Sequence, residues 1–303
     1  MSGLTAGEIK AANVRFHDEA AADYDSKWGI SYGERGRRQV VGKLAKALGE
    51  EPRPLGRGLE IGAGTGYFGL NLVRAGLLRE LVASDVSQGM LDALDDSAQQ
   101  LGIEVETARC EATALPFEDD SFDLVFGHAV LHHLPDLEGS FAEFRRVLRP
   151  GGVVAFCGEP SFHGDRLAAL PKRAALAVAP LWRRLIGAGR RSYSGGDGEL
   201  HDHGVLEQVV DVHAFTPADL GRAAGSADLE AVRVKGEELA ASWFGWANRS
   251  LESTALPEDV PHLWHQYAYR GYVALQAVDR AVLEPRLPPA IFYNLLVSAR
   301  APA

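Results

Sequence analysis

The sequence predicts an α/β fold in which a parallel sheet is covered by helices on both faces. Between about residue 57 and residue 158, short apolar segments alternate with segments of helical periodicity. N-capping residues and glycines separate these segments, and the first apolar segment leads into a glycine-rich turn. Strands that alternate with helices in this way pair in parallel and are buried on both faces. A chain of 303 residues is long enough to bury such a core.

The central region is predicted to hold five strands and three helices. The strands are placed at residues 58–63, 81–85, 105–110, 122–127 and 153–158, and the helices at residues 67–76, 88–101 and 137–149. Ser87 and Asp136 are expected to cap the second and third helices, because short polar side chains accept hydrogen bonds from the first helical turn. Gly76 and Gly102 are expected to end the first and second helices. Pro150, followed by two glycines, is expected to end the third.

The pattern changes after residue 160, where two mostly helical segments are predicted on either side of a further helix and strand. Thr216 caps that helix, Pro217 takes its first position, and residues 229–234 form a sixth strand. Residues 290–300 form a seventh strand. Residues 187–199 are predicted to be flexible, because glycine and polar residues dominate them.

Charge and cysteine content restrict the possible partners and the compartment. The formal net charge of −10 argues against a nucleic acid as the main partner, since such proteins usually carry a basic footprint. Cys110 and Cys157 fall in apolar segments and are expected to be buried, unpaired thiols of core strands. The N-terminal residues lack the apolar run of a secretory signal, and no apolar run is long enough to span a bilayer. A cytoplasmic protein is therefore expected.

The turn after the first strand, LEIGAGTGYFG at residues 59–69, points to a ligand site. A dinucleotide-binding turn has the pattern G-x-G-x-x-G and places a pyrophosphate on a helix N-terminus. Here Gly62, Gly64 and Gly66 form G-x-G-x-G, and Glu60 lies just before them. A carboxylate at this position would repel pyrophosphate and favour a ligand that carries positive charge.

Two further acids are expected at the same edge of the sheet. Asp85 ends the second strand, in the position that usually grips ribose hydroxyls, and Glu111 follows the third strand. The carboxyl ends of parallel strands face one crevice, so Glu60, Asp85 and Glu111 are expected to converge. A ligand with a ribose, an ammonium group and a second cationic centre fits three acids better than a diphosphate does. S-adenosylmethionine has these features.

Four sequence segments in this order resemble the class I S-adenosylmethionine-dependent methyltransferases. They are LEIGAGTGYFG, ASDVSQGML at residues 83–91, CEATALPFEDDSFDLVFGHAVLHHL at residues 110–134 and RVLRPGG at residues 146–152. The resemblance covers about residues 24–152 and points to the subgroup that includes the menaquinone and ubiquinone C-methyltransferases and many small-molecule methyltransferases. It implies a Rossmann-like, mostly parallel sheet of seven strands with the last strand antiparallel, helices on both faces and helical cap insertions.

The resemblance also implies which residues bind the cofactor. They are Tyr24, Glu60, Gly62, Ala63, Gly64, Gly66, Asp85, Val86, Met90, Glu111, Ala112 and His128. The glycine turn is expected to hold the methionine part, and Asp85 the ribose hydroxyls. Met90 is expected near the adenine, whose amine Glu111 and the backbone of Ala112 would read. The family often has Asp where Glu111 stands.

Methyl transfer itself places few demands on the residues of a site. It is an in-line displacement that depends chiefly on orientation, which alone contributes about 7–11 kcal/mol. A general base is required only for a protonated, weakly acidic nucleophile. The candidates for that base are His128, His132, His133 and Glu159, and a substrate contact or a loop acid are equal alternatives for Glu159. The sequence HDH at residues 201–203 is expected to be solvated, and no metal site is predicted.

Three segments are expected to enclose a small-molecule acceptor. The predicted organisation is an N-terminal helical lid at residues 1–52, a cofactor-binding core at 53–160, a cap insertion at 161–213, a core helix and sixth strand at 214–236, a second cap insertion at 237–288 and the seventh strand at 289–303. In the family the last two strands normally form a tight hairpin. Four of the five tryptophans fall in the two insertions, which favours a partly apolar acceptor. Oxygen is the expected acceptor atom, before carbon and nitrogen.

The segment at residues 166–191 leaves a second kind of partner open. It mixes leucines with lysine and arginine, a pattern that is also found on membrane surfaces. Pro171 and Pro180 are expected to break it into more than one helix, and a solvated basic face is the preferred interpretation. The alternative functions are a membrane-associated lipid or quinone methyltransferase, a protein that binds S-adenosylmethionine without turnover, and a nucleotide-dependent oxidoreductase.

Overall fold

A computed structural model describes residues 30–191 and 213–303, together with Gly7, Val14, Arg15, His17 and Asp18. The chain divides into two compact units. The sheet unit contains Met1–Glu159, Glu199–Lys235 and Leu296–Ala303, and the helical unit contains Pro160–Gly198 and Gly236–Leu295. Most of the segment predicted to be flexible, from residue 192 onward, lies outside the described residues.

Seven strands of the described residues form one sheet in the order β3-β2-β1-β4-β5-β7-β6. Their bounds are β1 Leu55–Ile61, β2 Leu78–Asp85, β3 Glu106–Arg109, β4 Phe122–His128, β5 Leu148–Pro160, β6 Glu230–Glu237 and β7 Asn294–Arg300. β1 pairs in parallel with β2 and β4, β2 pairs in parallel with β3, and β4 pairs in parallel with β5. The last strand runs antiparallel, so the predicted Rossmann-like, mostly parallel sheet is confirmed.

The helices are distributed over both units. The sheet unit holds α1 Glu34–Leu48, α2 Tyr67–Arg74, α3 Gln88–Leu101, α4 Leu137–Val147 and α6 Pro217–Ser226. The helical unit holds α5 Phe162–Ile186, α7 Ala240–Glu252 and α8 His262–Val278. Short 3₁₀ segments precede α8 and β7.

Large aromatic side chains fill the core around the sheet. Phe68, Phe126, Phe144 and Phe156 are each under 2% exposed. Phe144 stacks on Phe156 with ring centroids 5.1 Å apart, and Phe68 packs on Phe126 at 6.0 Å. Full burial of a side chain of this size contributes about 1.5–3 kcal/mol, so these rings are a main source of the stability of the sheet unit.

From β1 the chain continues through β2 and β3 on one side, and then returns to form β4 on the other side of β1. This change of direction places a crevice at the carboxyl ends of β1 and its neighbours. Ligands bind at such a switch point in open α/β sheets. In the observed register, Glu60 of β1 lies opposite Ala83 of β2 and Phe126 of β4. The segments that follow β1, β2, β4 and β5 therefore begin around this crevice.

Three predicted helix caps are confirmed. The Ser87 side chain accepts a hydrogen bond from the Met90 backbone N–H at the start of α3, and Asp136 accepts one from Gly139 at the start of α4. Thr216 forms a reciprocal capping box with Asp219 at the start of α6. Each cap stabilises its helix by about 1 kcal/mol, because it satisfies a backbone donor that has no partner inside the helix.

Three predictions about the edges of elements are wrong. β3 is a short edge strand whose residues are exposed or half-buried, and Cys110 lies just outside it as a half-buried thiol; only Cys157 is in the core. β5 begins at Leu148, so α4 ends at Val147 and the predicted breaker at Pro150 lies within the strand. β7 begins at Asn294 rather than four residues earlier. Edge pairing and long-range pairing decide these bounds, and neither is encoded locally.

The helical unit corrects one further prediction. α5 is a single helix of 25 residues that continues through Pro171 and Pro180. Proline removes a backbone hydrogen bond from a helix, at a cost of about 3 kcal/mol. Along α5, the small side chains of Ala175 and Ala179 and the ring of Trp182 are buried on one face. We infer that this packing offsets the hydrogen bonds that the two prolines remove.

Candidate functional site

The glycine turn after β1 has the backbone conformation that its sequence requires. Gly62, Gly64 and Gly66 have φ angles of 59°, 53° and 87°, a region that side-chain-bearing residues rarely adopt. A Cβ at Gly62 would lie 2.3 Å from Val130 Cγ2, whereas a Cβ at Gly64 would meet no atom within 4 Å. Glycine is therefore required at position 62 both by the backbone conformation and by the nearby Val130, whereas at position 64 it is required by the conformation alone.

Asp85 lies at the end of β2 and is hydrogen-bonded to this turn. Its carboxylate accepts hydrogen bonds from the backbone N–H groups of Gly64 and Ser87, each at 2.9 Å. Burial raises the pKa of Asp85, and these backbone hydrogen bonds oppose that rise. The side chain is 8% exposed, so it combines a fixed position with a remaining accessible surface at the edge of the sheet.

Glu60 is more deeply buried than the sequence indicates. Its two carboxylate oxygens lie 3.2 and 3.1 Å from the backbone N–H of Gly69 in α2. Burial raises the pKa of Glu60 to about 8, opposed by the Gly69 hydrogen bond and assisted by the charge of Asp85. Glu60 is thus mostly protonated at neutral pH. The expectation that Glu60 helps to select a cationic ligand stays a prediction, and the raised pKa reduces the negative charge that it would contribute.

The remaining acid, Glu111, comes close to Asp85 through Cys110. The Cys110 backbone N–H donates to the Asp85 carbonyl at 3.1 Å. Burial raises the pKa of the Cys110 thiol to about 11, and the charges of Asp85 and Glu111 add to the rise. The structure thus brings Asp85 and Glu111 to one region, as the sequence predicts, with Glu111 exposed and the following Ala112 buried.

Two other residues predicted at this end of the sheet lie on either side of Ser87. Val86 is half-buried, and Met90 is 1% exposed in the first turn of α3. Asp18, which the sequence does not predict to lie here, accepts hydrogen bonds from the Ser87 hydroxyl and, at 3.1 Å, from the Gly89 N–H. No local signal marks Asp18, because the contact spans 69 positions of the chain.

His128 ends β4 beside the first turn of α2. Its ring stacks on Phe68 with centroids 5.6 Å apart and meets Tyr67 edge-on at 6.2 Å. Its Nε2 atom lies 2.9 Å from the position that a Cβ on Gly158 would occupy, so the absence of a side chain there accommodates the ring. His128 is half-buried at the carboxyl edge of β4.

Glu159, near the end of β5, binds the segment after β4 through four hydrogen bonds. Its carboxylate accepts from the backbone N–H groups of Val130, Leu131 and His132 at 3.0–3.1 Å, and Oε2 lies 2.9 Å from His132 Nδ1. Glu159 is fully buried. Burial acts to raise its pKa, but the hydrogen bond and charge of His132 and the backbone donors together lower it. A buried carboxylate with a lowered pKa and four donors is poorly suited to accept a proton from a substrate.

Histidines cluster around the same segment. The rings of His132 and His133 lie 3.9 Å apart, and His17 meets His133 edge-on at 5.7 Å. Burial and the neighbouring His132 lower the pKa of His17 to about 4, against the charge of Asp18. The His213 backbone N–H donates to the His132 carbonyl at 3.2 Å. His17 and His213 carry no local signal in the sequence, and they reach this cluster from distant parts of the chain.

Within the described ranges, no group of three or more His, Cys, Asp or Glu side chains is arranged to hold a metal ion. The HDH sequence at residues 201–203 lies outside the described residues, as does Tyr24. Tyr32, by contrast, is described. Its hydroxyl donates a hydrogen bond to the Thr65 carbonyl at 2.6 Å, which adds a further contact that holds the glycine turn.

Residues 59–156 match a protein family described as Methyltransferase domain. The malonyl-[acyl-carrier protein] O-methyltransferase of Methylococcus capsulatus is 34% identical over 145 residues, which cover 44% of this chain and 51% of that relative. The ubiquinone/menaquinone biosynthesis C-methyltransferase UbiE of Cupriavidus metallidurans is 33% identical over 146 residues, or 48% of this chain and 58% of that relative. The chain thus spans about half the length of the curated relatives that it matches.

A solved structure shares the fold over nearly the whole chain. It is phosphoethanolamine N-methyltransferase 2 of Haemonchus contortus, in complex with phosphomonomethylethanolamine and S-adenosylhomocysteine. The TM-score is 0.59 at 15% identity, over 99% of this chain and 61% of that chain. The family match runs from β1 to β5 and includes the glycine turn, Asp85, Glu111 and the histidines after β4.

Proposed function

We propose that this chain, whose residues 59–156 form a class I S-adenosylmethionine-dependent methyltransferase domain, transfers a methyl group from S-adenosylmethionine to a small organic acceptor. One observation carries the proposal. The family match falls on a glycine turn that a buried carboxylate, Asp85, holds by the Gly64 N–H at the switch point of the sheet. This is where open α/β sheets bind nucleosides.

The turn fits the proposed cofactor in shape. A side chain at Gly64 would contact no other atom, so the bare backbone leaves space for the close approach of a ligand. We propose that the turn at Gly62, Ala63, Gly64 and Gly66 holds the methionine part. The N-terminus of α2 follows directly and presents backbone N–H groups to the carboxylate of that part.

The nucleoside part is assigned to the next two strand ends. We propose that Asp85 accepts hydrogen bonds from the ribose hydroxyls, and that Val86 and Met90 pack against the adenine. Glu111 and the Ala112 backbone would read the adenine amine. These roles follow from the resemblance, and the proximity of Asp85 to Glu111 supports them. Tyr24 keeps its proposed role near the cofactor, although it lies outside the described residues.

Glu60 has a supporting role in this proposal. Its carboxyl group faces the Gly69 N–H in α2, and we propose that it supports the glycine turn beside the methionine part of the cofactor. Burial raises the pKa of both Glu60 and Asp85, and it therefore reduces the negative charge that each contributes at the turn.

The chemistry asks the protein chiefly for alignment. When bound, the cofactor supplies an electrophilic methyl group, and the chain must hold the acceptor atom in line with it and exclude water. The segment after β4 borders the glycine turn through the Val130–Gly62 contact, so it is the part of the sheet unit best placed to position an acceptor.

A general base, where the acceptor needs one, is proposed to be His128. Its ring is fixed between Phe68 and Tyr67 at the end of β4. Glu159 and His132 are hydrogen-bonded to each other, and we propose that they hold the segment after β4 in place. His133 packs against His132 and remains a weaker base candidate.

The acceptor is proposed to be enclosed by an aromatic-rich helical cap, built from the segments that follow β5 and β6. Support comes from the long insertion between β6 and β7 and from the tryptophans that the helical unit contains. The relatives act on different atoms: their names specify O-, C- and N-methylation. Oxygen is our first proposal for the acceptor atom, followed by carbon and nitrogen.

Calorimetry with S-adenosylhomocysteine tests the cofactor site. Asp85→Ala should weaken binding by at least about a hundredfold, because each hydrogen bond from a ribose hydroxyl to a carboxylate contributes about 1.5–3 kcal/mol. Asp96→Ala makes the same change at an exposed position of α3 and should bind normally. Unchanged affinity in Asp85→Ala, with a cooperative unfolding transition, would contradict the proposed site.

Transfer is tested separately with methyl-labelled cofactor and one acceptor of each type: a malonyl thioester, a reduced quinone and phosphoethanolamine. Product from one of them fixes the acceptor atom. His128→Ala should then reduce turnover far more than it reduces cofactor affinity. Binding of S-adenosylhomocysteine without transfer to any acceptor would instead favour a protein that binds the cofactor without turnover.

A further inference from the structure

One face of α5 carries a row of exposed apolar side chains between residues 170 and 185. Leu170, Val178, Leu181 and Leu185 are 59%, 52%, 60% and 77% exposed. Ala174 is also exposed, and these positions follow a spacing of about four residues that keeps them on one side of the helix. We use the name α5 stripe for these five residues together with the exposed Arg166, Arg173 and Arg184.

Three exposed arginines, Arg166, Arg173 and Arg184, lie along one edge of the apolar row. At 100° per residue they fall within roughly 60° of Leu170 around the helix. The helix contains one acid, Asp165, which faces away from the row and pairs with Lys172 at 3.3 Å. The α5 stripe therefore combines apolar surface with uncompensated positive charge from its own helix.

The α5 stripe is not needed to hold the helical unit together. The buried residues of α5 are Gly164, Ala168, Ala175, Ala179 and Trp182, and at 100° per residue they lie about 120–180° from Leu170 around the helix, outside the apolar row. Trp182 packs edge-on against Trp264 with ring centroids 5.0 Å apart, next to Ala255 and Val260. The buried sector therefore accounts for the packing of the helix, and the neighbouring sector presents leucines to solvent at a free-energy cost.

We propose that the α5 stripe docks on the surface of a bilayer that contains anionic phospholipids. Helices of this kind lie in the interface, with apolar side chains in the acyl boundary and cationic side chains at the headgroups. A second copy of the chain is a poorer occupant, because like surfaces would set arginines against arginines. The net charge of −10 would repel the rest of the chain from an anionic surface, so attraction depends on this local basic edge.

The α5 stripe would contact the surface of the bilayer rather than cross it. No helix in the described ranges has the length and apolar character needed to cross a membrane. Leu185 and Leu181 lie near the C-terminal end of α5, where Arg184 adds positive charge next to the helix dipole. The inference is independent of the proposed methyl transfer, since vesicle binding is measured without cofactor or acceptor.

Vesicle flotation with the full chain tests the proposal. The chain should float with phosphatidylcholine vesicles that contain phosphatidylglycerol, and much less with phosphatidylcholine alone. Raising the salt concentration should release it, because electrostatic attraction at the surface is screened within about 3 Å at 1 M salt. The triple variant Arg166→Gln, Arg173→Gln, Arg184→Gln should lose roughly a hundredfold in affinity, from about fivefold for each arginine.

Two matched variants sharpen the result. Arg38→Gln, Arg79→Gln, Arg222→Gln removes the same charge from exposed positions of the sheet unit and should float like the wild-type chain. Leu181→Ser, Leu185→Ser should weaken binding while circular dichroism shows an unchanged helix content. The proposal is overturned if the chain does not float, if it floats equally with both lipids, or if the control triple variant loses as much as the α5 variant. It is also overturned if the two leucine changes dissociate a lipid-free dimer that does not bind vesicles.

Discussion

Glu60 near the end of β1 and Glu159 near the end of β5 are both buried glutamates at the carboxyl edge of the sheet. Glu60 has a single backbone donor, Gly69, and burial raises its pKa to about 8. Glu159 has three backbone donors and His132, which outweigh the effect of burial and lower its pKa.

The difference teaches that burial alone does not set the charge of an acid at this edge. The number and kind of donors decide whether the carboxylate or the carboxylic acid is the stable form. The sequence predicts a charged carboxylate at Glu60, and for Glu159 it leaves a base, a substrate contact and a loop acid as equal alternatives. The structure separates them into a largely neutral support of the glycine turn and a charged anchor of the segment after β4.

The largest expected effect comes from removing the anchor. Glu159→Ala should lower the free energy of unfolding by about 3–5 kcal/mol, because four donors lose their buried acceptor. Urea denaturation followed by circular dichroism measures this. Glu159→Gln keeps one acceptor oxygen and should lose roughly half as much. If Glu159→Ala kept full stability and lost only turnover, Glu159 would be a base rather than an anchor.

The next effect is the pH dependence that Glu60 contributes. Its pKa is raised in the folded state, so the folded protein binds the proton more tightly than the unfolded chain. The stability from Glu60 is therefore complete below about pH 4.5 and is lost as pH rises towards and through 8. Glu60→Gln should remove this loss, which amounts to at most about 1.4 kcal/mol for each pH unit. Denaturant titrations between pH 5 and 8 measure it.

The exposed Glu104 supplies the control for that experiment. Glu104→Gln makes the same chemical change on the surface and should leave the pH profile of stability parallel to that of the wild-type chain. Parallel profiles for Glu60→Gln as well would mean that the carboxyl group of Glu60 is not held in its protonated form.

A smaller effect separates two glycines of the same turn. Gly62→Ala should cost about 2–4 kcal/mol of stability, since it combines a positive φ with a 2.3 Å contact to Val130. Gly64→Ala should cost about 1–2 kcal/mol, since it meets the φ restriction alone. Thermal unfolding compares the two. Under the proposed function, Gly64→Ala also weakens S-adenosylhomocysteine binding in calorimetry, and equal stability losses would show that Val130 yields.

The smallest effect concerns the caps that flank these regions. Asp136→Ala should lower the free energy of unfolding by about 1 kcal/mol, because the Gly139 N–H loses its acceptor. Asp136→Asn keeps an acceptor and should lose only a fraction of that amount in the same denaturation assay. A loss of several kcal/mol would imply that α4 contributes more to the sheet unit than its cap.

Local features of the fold were predictable, and distant contacts were not. Ser87, Asp136 and Thr216 act within four residues of themselves, so a short stretch of sequence identifies them as caps. The bond between Glu159 and His132 spans 27 positions and depends on the pairing of β4 with β5. Pro171 and Pro180 show the reverse, since the packing of α5 overrides a strong local preference.

The same distinction applies to the candidate site. The glycine turn and Asp85 are recognisable in sequence because the conformation and the strand position restrict the residue type. Asp18 and His17 have no such signal, and only the folded chain brings them to Ser87 and His133. The neutral form of Glu60 was likewise hidden, because it follows from burial by surrounding elements.

Val130 lies between the glycine turn that Glu60 supports and the segment that Glu159 anchors. Its Cγ2 methyl group lies next to Gly62 of the glycine turn, and its N–H donates a hydrogen bond to Glu159 on β5. This one residue therefore links β5 to the turn after β1 through the segment that follows β4, the strand that lies between them in the sheet. Replacement of Val130 should therefore disturb both the backbone of the glycine turn and the hydrogen bonding of Glu159.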